Sequence, residues 1–389
     1  DVMRKSVAVL FVLLVCVGLV AQGCQVTGSE TSDRVLTLGG IFPVTGSSAV
    51  YGVNSKNAMT MAVDEFNAEG GATVDGEHVT VKAVVEDDTG SPEVGASAAQ
   101  KLINQDHAIG LIGAVMSKVS LAFAPIAQKA GVPQIATIST ATEVTLVGDY
   151  IFRVCFTDPF QGRVMADFVW NNLKLKTAAV LFDNGNDYNK GLAEVFRSRF
   201  EELGGKVVSW QAFTDADKTI DYRPQLTNIK AANPEFLYLP NYFMSATTCL
   251  RQAREMGITI PAGGGDGWGS PELIRLGGTA VEGCYFSDHV SLDDPRPEVQ
   301  NFVTSYKDRY GDLPDATAIL TYDATKLFLQ ALKTAGTATG SVLRDTIRDM
   351  TFHGVSGTIT FDSDRNPVKS AVIIQVKDGA FKYLTTIEP

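Results

Sequence analysis

The sequence predicts an α/β fold built as two doubly wound lobes. Short apolar runs alternate with amphipathic stretches from residue 34 almost to the end, the order expected where strands and helices take turns. Some of the apolar runs are continuous rather than alternating, as strands buried on both faces are. Several end on loops rich in glycine, hydroxyls or acids. The carboxyl ends of strands are where open parallel sheets place their ligands.

The first lobe opens with a strand at 35–41 and the loop Pro43-Val44-Thr45-Gly46-Ser47. Residues 57–67 put Met59, Ala62, Val63 and Phe66 on one face of a helix, which Glu69-Gly70-Gly71 ends. A strand at 79–85 runs into Glu86-Asp87-Asp88, and a helix at 96–105 leads to a strand at 108–113. Three adjacent acids at a strand end read as solvated or capping groups rather than a catalytic pair. Residues 111–144 then form a complete strand–helix–strand unit, with the helix at 119–129, a stop at Gly131 and a strand at 132–136. Both strands end on hydroxyl loops, one at Ser117 and one at Ser139-Thr140. Ser117 starts a helix, where free backbone N–H groups and the dipole favour an anion. Two such loops side by side make a candidate carboxylate site. Ser117 and Thr140 also read as plain caps, the commonest use of these residues at helix ends.

The second lobe repeats the alternation without repeating the sequence. Helices are expected at 161–173, 192–203, 222–231 and 246–256, and strands at 178–182, 207–210 and 236–239. The last of these leads to Asn241-Tyr242-Phe243. Ile258-Thr259-Ile260 runs into a glycine-rich loop at 263–269, with Asp266 and Trp268 at its tip. Residues 281–286 return as a strand, and 297–310, 322–335 and 342–350 read as helices. Residues 357–361 and 371–376 read as the two arms of a hairpin.

Residues 1–23 read as a secretory leader, with Arg4 and Lys5 ahead of an apolar run. The run is short for a membrane span. Gly23-Cys24 is a candidate lipidation site, although Ala21 stands where such motifs usually carry Leu; cleavage nearby without lipid is the other reading. Residues 24–33 are polar and read as a tether. The net charge of −11 argues against nucleic acid as a partner. Of five cysteines, Cys16 falls in the leader, and Cys155, Cys249 and Cys284 are widely separated, like buried small hydrophobes. The four histidines, at 78, 107, 289 and 353, have no ligand spacing. The segment 183–194 has calcium-loop offsets but carries Tyr188 where the loop needs glycine. The glycine-rich loop lacks the dinucleotide spacing and the P-loop lysine, and no nucleophile-elbow motif occurs. No metal, cofactor or enzymatic activity is expected.

Several blocks together resemble one family. They are 40–52 with Tyr51, Asp64-Glu65-Phe66-Asn67-Ala68-Glu69-Gly70-Gly71, 112–145, Leu250-Arg251-Gln252-Ala253-Arg254, and Glu282-Gly283. The chain from residue 34 onward resembles the type I periplasmic binding proteins, in particular the leucine/isoleucine/valine-binding group of ABC importers. The resemblance implies two Rossmann-like lobes joined by a three-segment hinge, with crossovers near Cys155, Ser287 and Thr358. Lobe 1 would hold 34–157 and 287–357, and lobe 2 would hold 158–286 and 358–389. Ser117 and Thr140 match residues that hold a ligand carboxylate. Ile138 matches a backbone carbonyl offered to the ammonium group, and Asp266 an acid that pairs with it. Tyr51, Tyr188 and Tyr242 match aromatic positions of the cleft, and Trp268 would add to them. The implied ligand is an amino acid, branched-chain or otherwise apolar. The implied partners are a membrane permease and, through a lipid on Cys24, the membrane of the periplasm or cell envelope. A ligand-sensing receptor of the same fold, for an amide, an aromatic acid or another small molecule, is the alternative. Three departures bear on specificity and stability. Gly90 and Met116 stand where the family has a disulfide, Lys118 follows Ser117 where a small hydroxyl residue is common, and Phe243 and Trp268 make the site more aromatic.

Overall fold

A computed structural model describes residues 34–214, 218 and 220–389. The leader, the tether and Cys24 lie outside the described residues. Strands β1 (Arg34–Phe42), β2 (Ala72–Val74), β3 (Glu77–Asp87), β4 (Ala108–Gly113), β5 (Gln134–Ala136) and β6 (Ile151–Arg153) form the first sheet. Its order is β2-β3-β1-β4-β5-β6. All neighbours are parallel except the β2/β3 pair, and Gly40 of β1 sits between Val85 and Ile112. Strand order reverses at β1/β4, so the loops leaving these two strands face one crevice.

The second sheet contains β7 (Thr177–Asp183), β8 (Lys206–Phe213), β9 (Phe236–Tyr238), β10 (Ala262–Gly264), β11 (Tyr285–Asp288), β14 (Ala371–Lys377) and β15 (Ala380–Ile387). Its order is β15-β14-β11-β10-β9-β7-β8, parallel from β8 to β11 and antiparallel beyond. Helices α1 (Pro297–Tyr310) and α2 (Ala316–Ala335) return to the first sheet's side. There Val299, Phe302, Tyr306 and Ile319 pack with Ala58 and Met61 of helix α3 (Ala49–Ala68). The chain therefore passes between sheets after Arg153, after Asp288 and again between β13 (Gly357–Ile359) and β14.

Local chemistry explains the main boundaries. Helix α4 (Ser117–Ala130) stops at Gly131, whose φ of 67° suits glycine. Asp315 caps α2 by accepting from Ala318 N–H at 2.9 Å. The expected hairpin between 357–361 and 371–376 does not form. Gly357–Ile359 pairs instead with β12 (Phe352–Gly354), and β14 pairs with β15 across Asp378-Gly379. Both turn residues have positive φ, which gives the tight connection that hairpins favour. The longer 360–370 segment contributes a single bridge, Phe361 to Pro367.

Candidate ligand-binding site

Three loops converge at the crevice of the first sheet. Ser117 is the first residue of α4 and is buried, while the cap position is Met116, which offers no side-chain bond. The Ser117 hydroxyl instead accepts from Ala141 N–H at 3.2 Å, which ties the two hydroxyl loops together. Thr140 is also fully buried, and its Oγ1 has no hydrogen-bond partner. Neither residue therefore serves as a helix cap through its side chain. Ile138 is half-buried and borders the crevice.

This rim is held from behind by Arg153, a residue that no motif singles out. Its guanidinium is wholly buried and donates to Ser139 O at 2.8 Å, Ala141 O at 2.8 Å, Thr142 O at 3.2 Å and Thr145 Oγ1 at 3.2 Å. Ser139 closes the other side by donating to Ala114 O at 2.9 Å. Its Nε–H has no partner, but the four bonds from the terminal nitrogens make a stiff support, because each one lost would leave a further unpaired charged donor inside.

The opposite wall is the turn Asp266–Trp268 that follows β10. Asp266 is buried, and its Oδ1 accepts from Tyr188 OH at 2.9 Å and Gln161 Nε2 at 3.0 Å. Its Oδ2 lies 3.0 Å from His289 Nε2. Burial lowers the His289 pKa, against the pull of Asp266, so the ring is neutral and carries its proton on Nε2. Its Nδ1 has no partner, and the ring stacks on Phe156 at 3.6 Å. Gly265 makes this packing possible, since a Cβ there would fall 2.7 Å from Leu192 and 2.8 Å from Tyr188 OH. Asp158 stands beside the pair. Its Oδ1 accepts from the same Gln161 Nε2 at 3.0 Å, and burial pushes its pKa up to about 8.

The three tyrosines meet between the walls. Tyr51 OH donates to Gly267 O at 2.6 Å, joining the first sheet's side to the turn. Tyr188 and Tyr242 stack at 5.0 Å, and Tyr51 meets Phe243 edge-on at 5.4 Å. Burial, with Asp266 and other acids nearby, raises the phenol pKa values far above normal, so these groups act as neutral donors. Among Tyr51, Ile138, Tyr188, Tyr242, Asp266 and Thr317 the free volume is about 10 Å³, roughly room for one water. A larger hollow of about 330 Å³ begins on the outer side of Tyr242 and is lined by Ser48, Lys118 and Asn186.

Trp268 is a correction. The sequence put it at a loop tip facing the ligand, whereas its indole is fully buried and donates to Leu239 O at 3.1 Å. It packs over Gly264 and near Phe286, as part of the second sheet's core. The turn that aims Asp266 at the crevice sends the side chain two residues on to the other side. Arg153, Asp158, Gln161 and His289 escaped sequence reasoning because none lies in a motif, and His289 reaches Asp266 only through the fold. Among the described residues, no group of three or more His, Cys, Asp or Glu side chains is arranged to hold a metal ion.

Comparison with known proteins agrees with this geometry. Residues 35–380 match the family described as periplasmic binding protein. Leu/Ile/Val-binding protein homolog 2 of Brucella abortus is 30% identical over 391 residues, covering 98% of this chain and 99% of that protein. The leucine-binding protein LivK of Thermotoga maritima superposes with a TM-score of 0.85 at 34% identity, covering 91% of this chain and 99% of that one. LivJ of Streptococcus pneumoniae, a branched-chain amino acid transporter substrate-binding protein solved with isoleucine, gives 0.85 at 30% identity over 92% and 100% of the two chains. Two mostly parallel sheets exchanging three segments, with a crevice between their strand ends, are the type I architecture, and the chain belongs to the periplasmic binding protein family.

Proposed function

We propose that this chain is the solute-capturing component of an ABC importer and that its ligand is a zwitterionic α-amino acid with a mainly apolar side chain. The observation that carries the reading is the pairing of a hydroxyl rim with a buried acid across one crevice. Ser117 and Thr140 stand on one wall, and Asp266 stands on the other. The rim suits a carboxylate, since the Thr140 hydroxyl has no protein partner and α4 begins beside it. The acid suits an ammonium, and Ile138 on the facing wall borders the same space, where its carbonyl would be a second partner for the ammonium. The tyrosines offer flat apolar surface for the side chain. Relatives named for leucine, isoleucine and valine fit this chemistry.

Capture needs no covalent step. The walls touch through Tyr51 and Gly267, and the free volume is far too small for an amino acid. The ligand therefore enters only when the walls part, with the three crossing segments as the hinge. It contacts both walls only when they close again, and that difference in contact shifts the equilibrium. The 34–157 and 287–357 segments would move as one lobe and the remainder as the other. The closed form docks on a membrane permease, and a lipid on Cys24 holds the chain at the envelope. Thermal shift against the neutral amino acids tests the ligand class. Leucine, isoleucine or valine should raise the melting temperature, and a response confined to amine-free aromatic acids would overturn the reading. Mass spectrometry of the native N-terminus tests the lipid.

A further inference from the structure

The inference rests on the amino-acid reading above and concerns a residue that this reading leaves idle. Asp158 opens helix α5 (Asp158–Asp167), shortly after β6 ends at Arg153. Its backbone N–H donates to Thr140 O at 2.9 Å, so it stands directly behind the hydroxyl rim and next to the first crossing. It is 2% exposed. A single amide nitrogen, Gln161 Nε2, lies 3.0 Å from Asp158 Oδ1 and 3.0 Å from Asp266 Oδ1. The two acids thus share one donor. Asp266 has two further donors, but Asp158 Oδ2 has none, and neither has the Thr140 hydroxyl beside it. No hydrogen bond of good geometry joins these two atoms, although the hydroxyl lies near enough to ease ionisation of the carboxyl, more than Gln161 or Arg153 does.

No cation in contact resolves the strain of two buried acids. Arg153 is the nearest and eases ionisation of Asp158 a little, but its terminal nitrogens donate to the carbonyls of the rim and to Thr145, and its Nε–H, which has no partner, bonds neither acid. His289 is neutral and bonded to Asp266. Tyr188, Tyr238 and Tyr242 face the acids as neutral phenols, and burial pushes the Cys155 thiol up to about 12. On the outer side a hollow carries Glu143, Asp187 and Glu194 against Lys190, so that face adds no net positive charge. Burial first, and Asp266 second, raise the Asp158 pKa to about 8.

We propose that Asp158 is the second acid of the ammonium seat: it stands protonated until a ligand's ammonium arrives, then ionises and gives its proton to solvent. The ligand's ammonium stays intact, the O–H bond of Asp158 breaks heterolytically, and one proton leaves per ligand captured. Asp158 opens the second lobe and shares Gln161 with Asp266, so the two acids stay together when the walls part. The seat selects ligands that bring a cationic amine and gives nothing to an amine-free carboxylate such as benzoate. The sign of the pH dependence follows. Below about pH 8 the proton must be displaced, so affinity rises with pH toward that value, by at most about tenfold per unit, and then levels off.

Calorimetry of the full chain with L-leucine, at about pH 7 in two buffers of different ionisation enthalpy, tests the proposal. Release approaching one proton per leucine is expected. Asp158→Asn should bind leucine about tenfold or more weaker, with no proton release and a flat pH profile, while Asp158→Glu keeps the release. A melting curve for each variant separates folding defects from these effects, and a merely structural acid would not change the proton count. Leucine binding without proton release, or release that persists in Asp158→Asn, overturns the role of Asp158 and leaves the amino-acid reading standing. If no neutral amino acid binds and benzoate does, that reading fails and the inference fails with it.

Discussion

Two buried acid clusters lie along the segments that join the sheets, and they are built to opposite ends. At the third crossing, Asp323 of α2 accepts from Val355 N–H at 2.8 Å, Ser356 N–H at 2.8 Å and Ser356 OH at 2.5 Å. Lys369, itself buried, donates to Ser356 Oγ at 2.5 Å and Val154 O at 3.3 Å. None of these side-chain atoms is left without a partner. This knot links the first and third crossings to a helix of the first lobe. Burial opposes both charges, raising the Asp323 pKa and lowering that of Lys369 to about 8, and each group favours the charged form of the other. In the crevice, by contrast, Asp158 Oδ2, Thr140 Oγ1 and His289 Nδ1 are all buried and unpartnered. A buried acid supplied with enough donors belongs to the scaffold. One left short is the kind of group that a ligand completes.

The largest effect that tests this contrast is on affinity. Asp266→Asn should weaken amino-acid binding by about 3–5 kcal/mol, roughly two to four decades, with a small change in melting temperature. Undiminished affinity by calorimetry would place the ammonium elsewhere. Asp323→Ala should do the reverse. It leaves the buried Lys369 charge with only neutral partners and the Val355 and Ser356 N–H groups without an acceptor, which costs about 3–5 kcal/mol of stability in chemical denaturation. The paired change Asp323→Leu with Lys369→Met should recover most of that loss, and a fully stable Asp323→Ala would mean that the knot does not support the hinge. Trp268→Ala belongs with the scaffold as well, at about 3–5 kcal/mol of stability, and a loss confined to affinity would return the indole to the site. Ser117→Ala is milder, about 1–3 kcal/mol of binding, since Thr140 and the α4 N–H groups remain. The smallest effect is expected from reductant. Cys155, Cys249 and Cys284 are free and buried, so the melting temperature should not move; a drop of many degrees would reveal an intermolecular or rearranged bridge.

Much of the fold was legible because it depends on local pattern. The strand at Ala108–Gly113 and the helix at Pro297–Tyr310 fall where the periodicity put them, since both are bounded by strong stop signals. Helices were read short at their first turns, as at Ala49–Ala68 and Ala316–Ala335, where Gly52 interrupts the pattern in one and residues 316–321, buried all round, show no amphipathic period in the other. The C-terminal hairpin was misread because alternation identifies strands but not their partners. At the site, Ile138, Asp266 and the three tyrosines border one small space, while Ser117 and Thr140 are buried on the hydroxyl loops. The sequence pointed to the hydroxyl loops and the acid by their position at strand ends, and the family resemblance supplied the rest.

What the sequence alone determined is the alternation of strands and helices, the two-lobed class, and the loops that carry polar groups to the strand ends. These follow from period, punctuation and charge along the chain, which neighbouring residues already express. What only the tertiary structure decided is which of those groups are satisfied. Gln161 and His289 reach Asp266 across sequence gaps no periodicity spans, and only that contact gives the i,i+3 pair of Asp158 and Gln161 its meaning. Trp268 turns inward because Leu239 O and Gly264 offer it a partner and room. Burial and hydrogen bonding are properties of the assembled surroundings, so whether an acid serves the scaffold or waits for a ligand is settled only once the chain has closed around it.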